Sequence, residues 1–129
     1  MVIDSSAVLS ILLQESDAEQ FADAIELASA RSMSAASLYE AGILIQSRRG
    51  VGGAADLDRL IENAQIEIVP FNLDQARIAR EAYRRYGRGN HRAGLNFGDC
   101  FAYALAKVTG EPLLFKGGDF ARTDVVAAS

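Results

Sequence analysis

The sequence is poor in the residues that build covalent staples, zinc sites or acid–base pairs: it has one cysteine, one histidine and two prolines in 129 residues. A lone Cys100 excludes an internal disulfide and any multi-cysteine zinc site, fits a reducing cytoplasm, and is expected to be a small core residue. A lone His91, set among arginines and expected at the surface, excludes a nuclease mechanism that passes protons between two histidines. No apolar run approaches the roughly 20 residues that a bilayer-spanning helix needs; the longest lie around residues 7–13 and 41–45. Met1-Val2-Ile3-Asp4 has no basic segment and puts a carboxylate where a signal peptide needs its apolar stretch, so a cytoplasmic protein is expected. There is no G-x-S-x-G elbow and no glycine-rich loop followed by Lys and Ser or Thr, so acyl-hydrolase and P-loop chemistry lack their parts.

What is present suits one domain over residues 1–129, since half the chain is hydrophobic. The net charge of -4 argues against wholesale attraction to nucleic acid, but it is unevenly spread. Between Arg77 and Arg92 stand six arginines against Glu81 alone, a local charge of +5 that leaves −9 for the rest. An acidic body with one basic strip is what a metal-dependent nuclease needs, although a solvated helix face would look the same.

The apolar pattern predicts a strand over residues 1–4, then a helix capped by Ser5 or Ser6 that turns Val8, Leu9, Leu12 and Leu13 inward. A second helix is expected over 17–30, a short strand at 31–33, and a helix from Ser34 to about Arg49, stopped by Gly50 and the Gly52-Gly53 pair. Helix 54–63, strand 65–69, helix 73–86, a polar loop 88–95, a helix capped by Asn96 through Thr109, and strand 112–115 follow. Val125 and Val126 suggest a last short strand. Strands alternating with helices imply an α/β layer fold with a mainly parallel central sheet, whose ligand sites form outside the carboxyl ends of the strands.

That geometry singles out four carboxylates, each with an innocent account of its own. Asp4 at a strand end could be only a helix cap. Glu40 stacks along its helix with Ala36, Ile43 and Leu44, so it either faces the core, where a lone charge is costly, or sits at a surface rim. Asp99 could merely support a helix N-terminus. Asp119 after two glycines could be a turn residue, and Asp124 is a weaker candidate for the same position. All four fall where a parallel sheet can bring them together, and a cluster of oxygen ligands would call for magnesium or manganese. Such ions activate water for in-line attack on a phosphodiester, so hydrolysis without a protein nucleophile is expected.

The set V-I-D-S-S, S-L-Y-E-A around Glu40, N-F-G-D-C around Asp99 and L-L-F-K-G-G-D-F-A-R-T-D resembles the VapC-type PIN-domain toxins from residue 2 to about residue 126. The resemblance implies a PIN-like three-layer α/β/α sandwich and an acidic metal site of Asp4, Glu40, Asp99 and Asp119 that holds Mg2+ or Mn2+, with Ser6 supporting and Asp124 as the alternative acid. It also implies cleavage of RNA, often transfer RNA, a cognate VapB-type antitoxin that blocks the site, and a homodimer. The apolar side of Leu38, Ala41 and Ile45 is an expected dimer contact. Arg84, Arg85, Arg88 and Arg92 are the expected phosphate contacts. Gly118 departs from the family, where a polar residue commonly precedes the aspartate. Two rivals are a receiver-type phospho-acceptor domain, which would use Lys116 beside its aspartates, and a non-catalytic RNA- or protein-binding module. A haloacid-dehalogenase-like phosphatase would need an aspartate in place of Ser6.

Overall fold

Val2 and Ile3 have no exposed surface, as befits a strand paired on both edges and covered on both faces. A computed structural model describes residues 1–128. In it β1 (Val2–Ile3) is followed by α1 (Ser5–Leu12), α2 (Ala18–Leu27), β2 (Ser32–Ser34), α3 (Ala35–Asn63) and β3 (Glu67–Val69). Then come α4 (Leu73–Tyr86), α5 (Asp99–Thr109), β4 (Leu113–Leu114) and a single 3-10 turn, Phe120–Arg122. The four strands form one parallel sheet in the order β3-β2-β1-β4, with Val2 opposite both Ser32 and Leu113.

Alternation along the strands divides the core into two layers. Val2 and Leu113 join Ala79, Ala82, Tyr86, Leu95, Tyr103 and Leu105 under α4 and α5. Ile3, Met33 and Leu114 join Val8, Phe21, Ile25, Ala41, Ile45 and Leu57 under α1, α2 and α3. The result is the expected three-layer α/β/α sandwich. No helix among the described residues is long and apolar enough to cross a membrane.

The order of strands reverses at β1: β2 and β3 extend to one side and β4 lies on the other. The crevice beyond the ends of β1 and β4 is therefore the switch point at which such sheets bind ligands. Gly50 ends the first stretch of α3 as expected, at φ 65 and ψ -156, and the helix expected over 54–63 begins already at Val51, so the Gly52-Gly53 pair lies inside it rather than in the break. Two expectations are corrected. Ala41 and Ile45 belong to the core rather than to a dimer face, and the outer side of α3 instead bears Tyr39 and Ile43. The C-terminal segment makes one isolated bridge, Leu113 with Ala127, in place of a strand at residues 125–126.

The Gly50 conformation is one that residues with a Cβ avoid. Gly50→Ala is expected to destabilise the protein by about 1–3 kcal/mol, measured by denaturant unfolding. A stabilisation, as Ala gives at an ordinary helical glycine, would contradict the break.

Candidate active site

Asp4 emerges from β1 into the switch point and is nearly inaccessible. Its Oδ2 accepts the Ser6 backbone N–H at 3.0 Å and the Ser6 hydroxyl at 2.6 Å. That hydroxyl oxygen in turn accepts the Lys116 backbone N–H at 2.9 Å, fastening the start of α1 to the segment after β4. Ser6 thus links Asp4 to the segment after β4 by hydrogen bonds. Asp4 Oδ1 is buried with no hydrogen-bond partner among the described residues. Burial pushes the Asp4 carboxyl up to about 6, with the nearby Glu40 charge adding to the shift and the Ser6 hydrogen bonds opposing it.

Glu40 comes from α3, whose first turn is capped by the Ser34 hydroxyl accepting the Ala36 N–H. Its Oε1 accepts the Ser5 hydroxyl at 2.7 Å. The apolar company read from the sequence is absent, since Ile43 and Leu44 point to solvent. What admits the carboxylate is Gly98: a Cβ there would lie 1.8 Å from Glu40 Oε2 and 2.5 Å from Cδ.

Asp99 opens α5 in a reciprocal pair with Asn96. The Asp99 N–H donates to Asn96 Oδ1 at 2.8 Å, and the Asn96 N–H donates to Asp99 Oδ2 at 3.0 Å. This is capping-box geometry, so Asn96 fulfils its expected capping role although the regular helix begins at Asp99. Burial pushes the Asp99 carboxyl up to about 7, opposed by the Asn96 N–H and reinforced by the charges of Asp4 and Asp119. Asp119 is exposed in the loop after β4, and its carboxylate is within hydrogen-bonding reach of Asp99. Phe120, buried next to it, anchors that loop.

Glu40, Asp4, Asp99 and Asp119 thus form a chain of neighbours drawn from four separate elements. None of the four takes part in a salt bridge among the described residues. Lys116 does not neutralise them, because its ammonium pairs with Glu15 at 3.1 Å and Asp17 at 3.2 Å. The donor set fits a hard divalent cation: it is all oxygen, carries uncompensated negative charge and includes one orphaned carboxylate oxygen. The carboxylates meet in pairs, and no three of these side chains among the described residues converge on one point.

Other sequence candidates lie elsewhere. Asp124 accepts the Tyr103 hydroxyl at 2.6 Å and the Lys107 ammonium at 2.9 Å, so it belongs to a separate network along α5 rather than to the acid cluster. Arg84 is forked onto Glu81, and Arg85 lies over the Tyr86 ring and 3.9 Å from Asp124. Arg88 and Arg92 are exposed and have no ion pair among the described residues. The Arg92 carbonyl accepts from Arg122 at 3.1 Å, which ties this basic loop to the turn that carries Asp119. His91 is half-buried on the basic loop: its Nδ1 accepts the Ala93 N–H and its ring meets Tyr86 edge to face. Ser5 and Gly98 were missed, though both are immediate chain neighbours of a candidate acid.

The fold and this acidic crevice define a PIN domain: residues 1–126 match that family, and the chain belongs to it. Its place within the family is among the VapC ribonucleases. It is 50% identical over 129 residues to ribonuclease VapC30 of Mycobacterium tuberculosis, spanning 100% of this chain and 98% of that one. It is 54% identical over 127 residues to a ribonuclease VapC of Mycolicibacterium smegmatis, spanning 98% of each. Among solved structures, Mycobacterium tuberculosis VapC20, a sarcin–ricin loop cleaving toxin, superposes with a TM-score of 0.80 at 16% identity over 97% of this chain and 95% of that one. A toxin–antitoxin complex from Klebsiella pneumoniae gives 0.72, also at 16% identity, over 98% and 94%.

Two outcomes are expected. In Gly98→Ala the Glu40 carboxylate must swing away, a move its flexible side chain allows without unfolding, so cleavage falls by about 10–100-fold, the usual effect of disturbing groups that orient metal ligands. Combining Gly98→Ala with Glu40→Ala should be no worse than Glu40→Ala alone; additive losses would contradict the contact. The second concerns pH. Asp4 and Asp99 hold their protons more tightly folded than unfolded, so their contribution to stability is intact below about pH 4 and is lost as pH rises through 6 to 7. In chelator, the melting temperature of Asp99→Asn relative to the parent should therefore rise between about pH 5 and pH 8, and manganese should erase the gain at pH 8. A difference independent of pH would contradict the buried charge.

Proposed function

We propose that this protein is the toxin endoribonuclease of a toxin–antitoxin pair, hydrolysing RNA phosphodiester bonds at Asp4, Glu40, Asp99 and Asp119. The observation that carries this reading is a run of four carboxylates at the switch point with no basic partner, in a chain that belongs to the VapC ribonucleases. Mg2+ or Mn2+ would be held by Asp4 and Asp99, with Glu40 and Asp119 completing the negative field. A bound divalent ion supplies a lowered pKa for water and stabilises charge on the phosphate oxygens. The protein's own side chains do the rest. Ser6 orients Asp4 through its two hydrogen bonds, leaving Oδ1 free for a ligand, and Ser5 fixes Glu40.

Arg88 and Arg92, without ion pairs of their own, are the best placed of the expected arginines to hold RNA phosphates; Arg84 and Arg85 would have to exchange Glu81 and Asp124 for them. The same acid crevice suits inhibition by a cognate VapB-type antitoxin, since an arginine inserted there would make charge-assisted pairs with the carboxylates and exclude metal and substrate together. A homodimer would use exposed apolar residues such as Tyr39 and Ile43 on α3. A structured RNA such as transfer RNA, met in the cytoplasm, is the proposed target. The receiver-type alternative is disfavoured because Lys116 is engaged by Glu15 and Asp17.

The test is incubation of the purified chain, freed of antitoxin, with total cellular RNA, with and without magnesium or manganese, beside Asp99→Asn. Discrete metal-dependent fragments are expected, reduced on the order of 100-fold or more in the variant, beyond what groups outside the metal ligands typically contribute. A folded protein that binds no divalent metal would point instead to a non-catalytic module.

A further inference from the structure

Beside the acid cluster lies a cleft of roughly 290 Å3, lined by Phe71, Ala76, Ala79, Arg80, Tyr83, Phe97, Cys100 and Phe101. It lies between α4 and the start of α5, and its walls are almost wholly carbon, with Arg80 the one charged residue among those that line it. Its rim is aromatic. Phe97 is 78% exposed and Tyr83 is 42% exposed. Phe97 meets Phe101 edge to face at 4.9 Å, and Phe101 meets Phe71 in the same way at 5.0 Å. Of these three phenyl rings in a row, Phe71 packs against the core while Phe97 at the other end is bared to water, and an exposed aromatic at the mouth of an apolar cleft suits a binding surface.

We propose that this cleft is a nucleobase subsite, in which Phe97 stacks on a base of single-stranded RNA while Arg80 meets the adjoining phosphate. The inference rests on the ribonuclease reading and adds to it where the substrate is gripped. Three observations favour a base over other occupants. Phe97 stands two residues before Asp99, so their Cα atoms are at most about 7.6 Å apart. A strand with one base held on Phe97 therefore needs to extend only a short way to reach the carboxylates. Arg80, the one cation in the lining, has no salt-bridge partner among the described residues, and Arg84 follows one turn later on α4. An aromatic platform with a flanking arginine is the combination by which proteins hold unpaired bases, because every base has a π face and every nucleotide a phosphate.

The experiment measures binding of the Asp99→Asn protein, which retains the cleft, to a fluorescein-labelled single-stranded RNA of mixed sequence and to a sugar–phosphate strand of equal length without bases. Phe97→Ala in that background is expected to weaken binding of the base-bearing strand by about 5- to 100-fold, the loss that removal of one base–aromatic stack produces. It should leave the abasic strand unaffected. Arg80→Gln should weaken both strands alike. Phe97 is exposed, so its removal does not threaten the fold. Equal losses on the two strands, or none on either, would overturn the subsite. So would a Phe97→Ala protein that keeps its RNA affinity but changes oligomeric state or loses antitoxin, since the cleft would then be a protein interface. Failure of the parent protein to cleave RNA with metal would instead count against the ribonuclease reading itself.

Discussion

The burial of Asp4 is the constraint on which the site depends. Its carboxylate is removed from water at the end of the central strand, one oxygen satisfied by Ser6 and the other left without a partner. An unsatisfied buried polar atom costs about 1–3 kcal/mol, and more when charged. Glu40 and Asp99 bring further negative charge against it. The two apolar layers that clamp β1 offset this cost, since Val2 packs into one and Ile3 into the other. A fold that spends stability to hold like charges together is poised for a cation, because above the raised pKa values of these acids a metal ion placed among them relieves the repulsion and fills the empty oxygen together.

The topology places these charges. Parallel pairing of β1 with both β2 and β4 sets the ends of the strands side by side. Asp4 leaves β1, the loop after β4 carries Asp119, α3 follows β2 directly with Glu40, and α5 aims its first turn at the same crevice. Small groups do the fine positioning. The Ser6 hydroxyl joins two strand ends, the Ser5 hydroxyl fixes Glu40, and the missing Cβ of Gly98 lets Glu40 approach α5. Each acts at contact distance on an acid, so the geometry is held by hydrogen bonds and close packing around the carboxylates as well as by the carboxylates' own elements.

Much of this was legible in the sequence. Strand-then-helix alternation gave the layer architecture, and the placement of Asp4, Asp99 and Asp119 at element ends, with Glu40 on a helix that follows a strand, pointed to one crevice. The illegible parts depend on contacts between distant segments. An apolar stripe at Leu38, Ala41 and Ile45 reads equally as core or as interface, and only the packing of α1 on α3 decides for the core. The Gly52-Gly53 pair reads as part of the stop, yet only Gly50 leaves helical geometry and the pair lies inside the second stretch of α3. Asp124 and Asp119 look alike as loop acids; Tyr103 and Lys107 on α5 claim the former, and no local pattern reveals that claim. Gly98 looked like part of a motif, while its physical reason is a carboxylate arriving from another helix.

The central claim is that the orphaned Asp4 oxygen and Asp99 together hold a divalent cation. Crystals of the protein soaked in manganese, with data collected for the anomalous signal of that metal, test it most directly. The account predicts an anomalous peak within about 2.0–2.6 Å of Asp4 Oδ1 and an Asp99 oxygen, the range for hard cations on carboxylates, with Glu40 and Asp119 turned toward it. Manganese bound only at other carboxylates, with Asp4 Oδ1 still bare, would contradict it.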